Sequence, residues 1–295
     1  MLRDVKTTIS DGLLGFAAAT GDGLSVKIGA SPIVSAAPVV ITGDMDAGKI
    51  RERLGLSPLA DAAMDAVQGG AGRIYCFPTA ATTAGSLSSV EKDGKGSGSL
   101  TGDGSPTNAL VVQITAQGGL NTAAFKASVN GGYSFSDEVT VPVTGSYALE
   151  GTGLTLHFTE SAGEEAETGP FLVDDVFRFG STAPAMTNGD VLAAMDKLKE
   201  FSQEFEFIHI VGSGTLPLWQ AVSEAQKELA ESCRKPAFVL LEAALPEEGD
   251  GGDLHDWAFQ MEADRKKIKN TDIQVCAAWG RLVRLDGTTQ TVNLA

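Results

Sequence analysis

The stretch from Val129 to Leu198 constrains the fold of this chain more than any other part of the sequence. Short strand-like segments, separated by glycines and other turn residues, run directly into a capped amphipathic helix. The same stretch holds no arrangement of His, Cys, Ser or carboxylate residues that catalysis would require. The sequence therefore predicts a regular fold that serves as a building block and is not an enzyme.

The first predicted part, residues 1–77, comprises an amino-terminal arm and the beginning of an α/β core. Residues 37–41 form an apolar run that predicts a buried strand. Ser57 and Pro58 have the residue types that begin a helix, and Gly69 is placed to end it in a left-handed conformation. The predicted apolar face of this helix consists of Leu59, Ala62, Ala63, Ala66 and Val67.

The second predicted part, residues 78–182, is an inserted β-rich domain. Its first segment, residues 85–106, is dominated by Gly and Ser and is interpreted as a mobile connection or a long hairpin tip. Five strand-length segments with turn residues between them follow, and they predict successive antiparallel strands. These segments are ALVVQITA, AAFKASV, EVTVPV, GLTLHF and LVDDVFRF.

The third predicted part, residues 183–295, alternates helices with apolar strands. Thr187 and Asp190 resemble a capping box, and strands are predicted at 205–211, 237–243 and 272–279. A further helix should place Leu254, Trp257, Met261 and Ile268 on one face, and a hairpin should turn at Asp286 and Gly287. The predicted fold class is α/β with an inserted antiparallel β domain and, in the carboxy-terminal part, a mostly parallel sheet flanked by helices.

Charge and cysteine content narrow the class of protein. The chain has 22 Lys and Arg against 38 Asp and Glu, a net charge of −16, which disfavours nucleic-acid binding through a general basic surface. Its 3 cysteines have no metal-ligand spacing and suggest ordinary thiols in a reducing compartment. No apolar run has membrane-spanning length and the first residues do not resemble a secretory signal, so the expected location is the cytoplasm of the producing cell.

Two glycine-containing loops leave a second class of function open. Residues 43–49 fit the spacing G-x4-G-K, but Ile50 stands where a P-loop has Ser or Thr, and Asp44 and Asp46 would repel phosphate. Residues 212–215 open a helix as a dinucleotide-binding turn does, although Pro217 replaces the third glycine. The alternative function is thus an α/β enzyme or binding protein for a small phosphorylated ligand, whereas surface turns are the favoured interpretation.

The remaining candidate residues predict no catalytic, cofactor or metal site. None of the three histidines, His157, His209 and His255, has a partner at metal-ligand spacing. A basic cluster stands out in this acidic chain and consists of Arg265, Lys266, Lys267 and Lys269. It is interpreted either as the cationic end of a helix or as a contact for an acidic partner.

The chain resembles the sheath proteins of contractile bacteriophage tails and related injection devices. The residues that carry the resemblance are DVKTTISDGLLG with SVKIGAS, GLSPLADAAMDAVQGGAGRIYCFP, VNGGYSFSDEVTVPVTGSY with GTGLTLHF, FLVDDVFRFGSTAP, DVLAAMDKL, FEFIHIVGSGTLPLWQAV and KPAFVLLEA. They cover nearly the whole chain as a pattern of glycines, strands and helices. One departure is that sheath proteins usually continue past a strand such as 292–295 into further helices and a carboxy-terminal arm.

The resemblance implies a non-enzymatic subunit without cofactors that polymerises helically around an inner tail tube and contracts to drive the tube through the host envelope. The expected partners are other copies of the chain in stacked rings, often sixfold, the inner tube protein, and baseplate and tail-terminator proteins. Neither direct nucleic-acid contact nor membrane insertion is expected. The implied location is the virion tail, assembled in the host bacterial cytoplasm, and the basic cluster becomes a candidate contact with the tube.

Overall fold

The structure is a computed structural model that describes residues 24–104, 109–150, 152–161, 170–244 and 254–295. Part of the resemblance rests on residues 4–15, which lie outside the described residues.

The strands are β1 (Ser25–Ala30), β2 (Val39–Thr42), β3 (Arg73–Thr79), β4 (Ser86–Asp93), β5 (Ser99–Asp103), β6 (Leu110–Ala116), β7 (Ala124–Ser128), β8 (Val139–Thr140), β9 (Ser146–Leu149), β10 (Leu154–Thr159), β11 (Val176–Thr182), β12 (Phe207–Gly214), β13 (Phe238–Ala243), β14 (Ile273–Cys276), β15 (Trp279–Val283) and β16 (Thr289–Asn293). The helices are α1 (Ala47–Leu54), α2 (Pro58–Gln68), α3 (Asn188–Glu200), α4 (Leu216–Ser232) and α5 (Leu254–Arg265).

A six-stranded sheet with the order β14-β13-β12-β1-β3-β2 forms the centre of the α/β part. All of its neighbouring strands are parallel except β2, which pairs antiparallel with β3. The near-continuous apolar character of β1, β12 and β13 is typical of parallel strands covered on both faces. The predicted mixture of helices with a mostly parallel sheet is therefore confirmed, and strands from both ends of the chain build that sheet.

Each face of this sheet has its own apolar core. On one face, Val26, Ile208 and Val239 pack with α3 and α4, whose buried residues include Val191 and Trp219. On the other face, α1 and α2 cover β2 and β3 through a second cluster of buried residues. That cluster consists of Ile41, Ile50, Leu54, Leu59, Ala60, Ala63, Met64, Ile74, Cys76 and Val211.

The inserted β-rich region contains two antiparallel sheets, β4-β11-β6-β7-β8 and β5-β10-β9. A single cluster of buried side chains draws on both sheets, with Phe125, Phe158 and Phe177 among its largest members. β3 ends at Thr79 and β11 at Thr182, close to the predicted boundaries at 78 and 182, which stay a prediction. The expected antiparallel strands are confirmed.

The Asp175 side chain joins the turn after β4 to the segment that precedes β11. Its carboxylate accepts hydrogen bonds from the N–H groups of Gly96 at 3.2 Å and Leu172 at 3.0 Å. The Lys92 ammonium lies 4.0 Å from the same carboxylate and donates to the carbonyls of Gly96 and, at 2.7 Å, Gly98. A Cβ atom at Gly96 would lie 2.2 Å from the Asp175 carboxylate, so this turn requires glycine.

Two expectations about the first half of the chain were wrong. The described residues 85–104 are neither a mobile connection nor a single hairpin tip, because they contain β4 and β5, which belong to different sheets. The strand predicted at 37–41 is the edge strand β2, in which Ile41 alone is fully buried. Both errors have the same physical cause. Pairing with distant strands decides whether a short segment becomes a strand and whether that strand lies at the edge or in the centre of its sheet.

Helix ends follow local sequence signals, except that the left-handed residue after α2 lies one position later than predicted. Ser57 caps α2, and the capping box of Thr187 and Asp190 at α3 is confirmed. Gly69 remains right-handed with φ of −71°, and the left-handed residue is Gly70 with φ of 96°. The buried face of α2 is also turned relative to the prediction and consists of Leu59, Ala60, Asp61, Ala63 and Met64.

The last predicted helix and strand are shorter than expected. Leu254 is 67% exposed, so the predicted apolar face is wrong for this residue. Ile268 packs against the same core as Trp257 and Met261, although it lies beyond the end of α5 at Arg265. The strand predicted at 272–279 is divided into β14 and the first residue of β15. The predicted hairpin at Asp286 and Gly287 is confirmed as β15 and β16, which together form a separate two-stranded sheet.

Candidate functional site

A row of buried polar residues crosses the face of the parallel sheet that lies opposite α3 and α4. Lys27 on β1 is in register with His209 on β12, and the Lys27 Nζ and His209 Nδ1 atoms are 2.7 Å apart. The other ring nitrogen, His209 Nε2, lies 2.9 Å from Glu242 Oε1 on β13. Because Lys27 donates to Nδ1, the ring hydrogen resides on Nε2 and is donated to Glu242.

Burial sets the protonation of this row. It lowers the pKa of Lys27, and the charge of Glu242 partly offsets this decrease. Burial also lowers the pKa of His209, and the neighbouring Lys27 charge acts in the same direction. The imidazole is therefore neutral at physiological pH. The three side chains satisfy one another by mutual hydrogen bonds, an arrangement that favours a structural ion network over a reactive centre.

The β15–β16 hairpin is fastened beside this row by charged side chains. Arg284 donates through Nη1 to Asp61 Oδ2 at 2.9 Å, and through Nε to Asp65 Oδ1 at 2.9 Å. A second contact joins Arg51 on α1 to Asp286 in the turn of the hairpin. We call these five residues the hairpin latch. No residue of 279–295 belongs to an apolar core cluster formed by the described parts of the chain, so the latch is a principal attachment of the hairpin.

Asp61 is the most perturbed carboxyl group of the latch. Burial raises its pKa to about 6, against the opposing effect of the Arg284 charge. Its second oxygen, Oδ1, has no hydrogen-bond partner among the described residues, which is consistent with the dominance of desolvation. A cavity of about 420 Å³ separates α2 from the hairpin here, with Lys27, Asp61 and Trp279 in its wall.

The pKa of Asp61 predicts a pH dependence of stability. Because the folded pKa lies above the usual 3.8, the folded state binds more protons between these values, and this group adds stability as pH falls. From about pH 7 to about pH 5 the gain is roughly 1 kcal/mol. His209 acts oppositely, because its lowered pKa removes stability as pH falls.

The test therefore compares urea unfolding of the wild type with Asp61→Asn. The difference between their free energies of unfolding should change by that amount, and parallel profiles would contradict the assignment.

Comparison with known protein families gives a match over nearly the whole chain. Residues 2–292 match the family described as DUF2586, N-terminal domain. The chain belongs to the DUF2586 family. Among curated proteins, no sequence matches this DUF2586 chain.

Two solved structures are similar to the DUF2586 chain at low identity. The sheath tail protein from Desulfitobacterium hafniense has 16% sequence identity and a TM-score of 0.43, and the match covers 99% of this chain. The chain spans 59% of the length of that protein. A ferredoxin-NADP+ reductase from Plasmodium falciparum has 10% identity and a TM-score of 0.12, covering 57% of this chain and 68% of the reductase.

The predicted basic cluster of the DUF2586 chain lies at the end of α5 with all four cations exposed. Lys266 forms an ion pair with Glu262 at 2.8 Å, and Lys267 forms one with Asp264 at 2.8 Å. In the described ranges, Arg265 and Lys269 have no carboxylate within ion-pair distance. The cluster therefore contains two cations that are paired with carboxylates and, in the described chain, two that are not. Its role as a tube contact stays a prediction.

The two loops of the alternative function lie at opposite ends of the sheet. Thr42, just before residues 43–49, pairs with Arg73 at the beginning of β3, whereas residues 212–215 follow the body of β12 toward its carboxyl end. Asp46 caps α1 with its own side chain, which places a carboxylate where a P-loop would bind phosphate. The loops therefore cannot combine into one phosphate site.

The sequence reasoning missed both the polar row and the hairpin latch. A signal was present, because Lys27 and His209 interrupt otherwise apolar strands and Asp61 lies between apolar residues of α2. Such interruptions predict buried polar groups that need partners. In the part of the chain that the structure describes, no cluster of His, Cys, Asp and Glu could hold a metal ion. None of the described helices has both the length and the apolar character of a membrane crossing.

Proposed function

We propose that the chain is a structural subunit of a contractile tail sheath that polymerises helically around an inner tube and contracts to drive it through the host envelope. Support comes from the sequence resemblance and, above all, from the β15–β16 hairpin. This hairpin is a two-stranded sheet in which neither strand pairs with another strand of the described residues. On β15, the carbonyl of Val283 accepts a hydrogen bond from the Gln68 side chain at 2.7 Å. Among the described residues, the edge of β16 is therefore the one that is available to strands from neighbouring subunits.

The direction of the backbone groups identifies which amides are available. Arg284 N–H donates to Thr288 C=O, and Leu294 N–H donates to Ala278 C=O. Since successive amides of a strand point to opposite sides, the amides of Thr289, Thr291 and Asn293 face outward from β16. An added strand would find three regularly spaced pairing positions there.

The attachment of the hairpin suits a subunit that transmits force. An isolated two-stranded hairpin is marginal in water, so a load applied to it needs a firm connection to the core. The hairpin latch supplies buried ion pairs to α1 and α2, and Asn293 donates to the carbonyl of Cys276 at 2.9 Å and that of Ala243 at 3.3 Å. A strand added to the hairpin is thereby linked to the parallel sheet.

The proposed assembly also has specific partners and a specific tube contact. The partners are other copies of the chain in stacked sixfold rings, the inner tube protein, and baseplate and terminator proteins, in a virion tail assembled in the host cytoplasm. Arg265, Lys266, Lys267 and Lys269 contact an acidic surface of the tube, since repeated weak charge contacts sum over many subunits. The subunit performs no catalysis.

Negative-stain microscopy of the purified protein tests the proposal. We expect rings or tubes of uniform diameter without nucleotide or metal. Thr291→Pro should reduce them, because it removes an outward amide from β16, whereas Thr291→Val keeps that amide and should assemble normally. Monomers at every concentration, or equal assembly of the two variants, would contradict the role given to the hairpin.

A further inference from the structure

We propose that the open edge of β14 in one copy of the chain receives residues 133–138 of a second copy as an added antiparallel strand. This inference rests on the proposed self-assembly and names a contact separate from the hairpin. It is carried by two surfaces of the same chain that complement each other in apolar character, hydrogen bonding and charge.

The receiving surface is a groove along β14. A cavity of about 570 Å³ lies between this edge strand and the end of α5. Trp219 and Met261 contribute apolar wall, and Ile273 and Val275 on β14 continue it. A strand added at this edge would cover apolar side chains that the described residues leave partly exposed.

Backbone amides without a partner among the described residues line the same edge. The carbonyl of Asp272 accepts a hydrogen bond from Val239 N–H at 2.8 Å. Since the backbone groups of a strand alternate in direction, the N–H and C=O groups of Gln274 also face β13. Ile273 and Val275 therefore direct their N–H and C=O groups outward. The side chains of both residues lie on the face that packs against the apolar core.

The rim of the groove is cationic. Arg265 and Lys269 line it, and neither forms an ion pair within the described parts of the chain. Glu262 also lines the groove, but its carboxylate is paired with Lys266 at 2.8 Å. In a chain with net charge −16, two available cations beside an open strand edge favour an acidic segment as the occupant.

The inserted region offers such a segment. Tyr133 is 57% exposed and Phe135 is 40% exposed, and the exposed carboxylates of Asp137 and Glu138 follow. Large apolar side chains two residues apart project from the same face of an extended chain.

Hydrogen bonds fix the direction of this segment. Ser134 N–H donates to Asn130 Oδ1 at 3.0 Å, and Ser136 N–H donates to Ala127 C=O at 2.8 Å. The alternating N–H groups of Phe135 and Asp137 have no partner in the described chain. They are directed away from β7 and are available to a second strand.

One register satisfies both sets of amides. Antiparallel pairing of Phe135 with Val275 and of Asp137 with Ile273 lets each pair exchange two hydrogen bonds. Phe135 then enters the apolar groove beside Val275, and Asp137 lies beside the strand end nearest Lys269. Since the two surfaces differ, the contact is heterologous, and repetition produces rings or helical stacks instead of a closed dimer.

The first test replaces Val275 with proline in the full chain and measures association by sedimentation velocity. Proline removes the outward N–H but is tolerated at an edge strand, so the association constant should fall at least about tenfold. The matched variant Val275→Thr keeps the N–H and the side-chain shape and should associate within about twofold of wild type. Circular dichroism verifies that both variants are folded.

The second test exchanges the charges. Asp137→Lys and Lys269→Glu should each weaken association by roughly fivefold, and the double variant should recover most of the loss. Lys197→Glu changes an exposed cation on α3, away from the groove, and is the matched charge control.

The outcomes separate this contact from the proposed function. If the wild type assembles and Val275→Pro assembles equally, or the exchanged charges fail to restore association, the β14 contact is overturned while the sheath proposal stands. A wild type that stays monomeric overturns both. Groove-dependent oligomers that form neither rings nor tubes would support the contact and contradict the sheath.

Discussion

Replacing Arg284 with leucine is expected to lower the free energy of unfolding by about 3–5 kcal/mol, because it leaves the carboxylates of Asp61 and Asp65 without their buried partner. Asp61→Asn in the same chain should restore at least about 1 kcal/mol, since the most deeply buried charge is then absent. Urea unfolding followed by tryptophan fluorescence measures the effect, because Trp219, Trp257 and Trp279 all lie in the α/β part or the hairpin.

The control for this prediction is Arg281→Leu on β15, the strand that ends one residue before Arg284. Arg281 is exposed, and its loss should change the free energy of unfolding by less than about 0.5 kcal/mol. If Arg284→Leu were no more destabilising than Arg281→Leu, the hairpin latch would contribute little, and another contact would have to hold the hairpin.

Replacing Asp175 with alanine is expected to destabilise the inserted region by about 3–4 kcal/mol. The substitution removes the acceptor for two backbone N–H groups and the countercharge of Lys92 in a site where Asp175 is 1% exposed. Urea unfolding followed by circular dichroism reports this region, which contains eight of the sixteen described strands, β4 to β11.

Asp93→Ala provides the comparison, since Asp93 is an exposed neighbour whose carboxylate lies 3.9 Å from Arg178. A surface pair of this kind contributes about 0–1 kcal/mol. Equal losses for the two substitutions would show that Asp175 does not organise the turn that contains Gly96.

Local signals in the sequence predicted the elements whose ends are set by their own residues. The caps at Ser57 and Thr187 depend on hydrogen bonds within three residues, and they form as expected. The near-continuous apolar runs of β12 and β13 likewise predicted buried parallel strands. These features need no information from distant parts of the chain.

Distant pairing accounts for what the sequence did not predict. The sequence of β4 is polar because most of its side chains face solvent, and its pairing with β11 makes it a strand. Lys27 and His209 are 182 residues apart, and Arg284 and Asp61 are 223 residues apart. A single sequence contains no local signal for which charges such a fold brings together, although a charge within an apolar strand does signal that a partner is needed.

In the proposed function, the candidate site is the surface formed by open strand edges. The hairpin latch holds the hairpin against α1 and α2, and the outer amides of β14 and β16 form regularly spaced pairing groups. Assembly through strand addition requires no ligand and adds hydrogen bonds at each subunit contact.

Amide hydrogen exchange, measured below and above the concentration at which the protein assembles, tests this claim most directly. The amides of Ile273, Val275 and Thr291 should exchange rapidly in the dilute protein and at least about tenfold more slowly in the assembly. The amide of Gln274, which faces β13, is an internal control and should be protected in both. Assembly with unchanged exchange at Ile273, Val275 and Thr291 would contradict the account, because the subunits would then be joined through other surfaces.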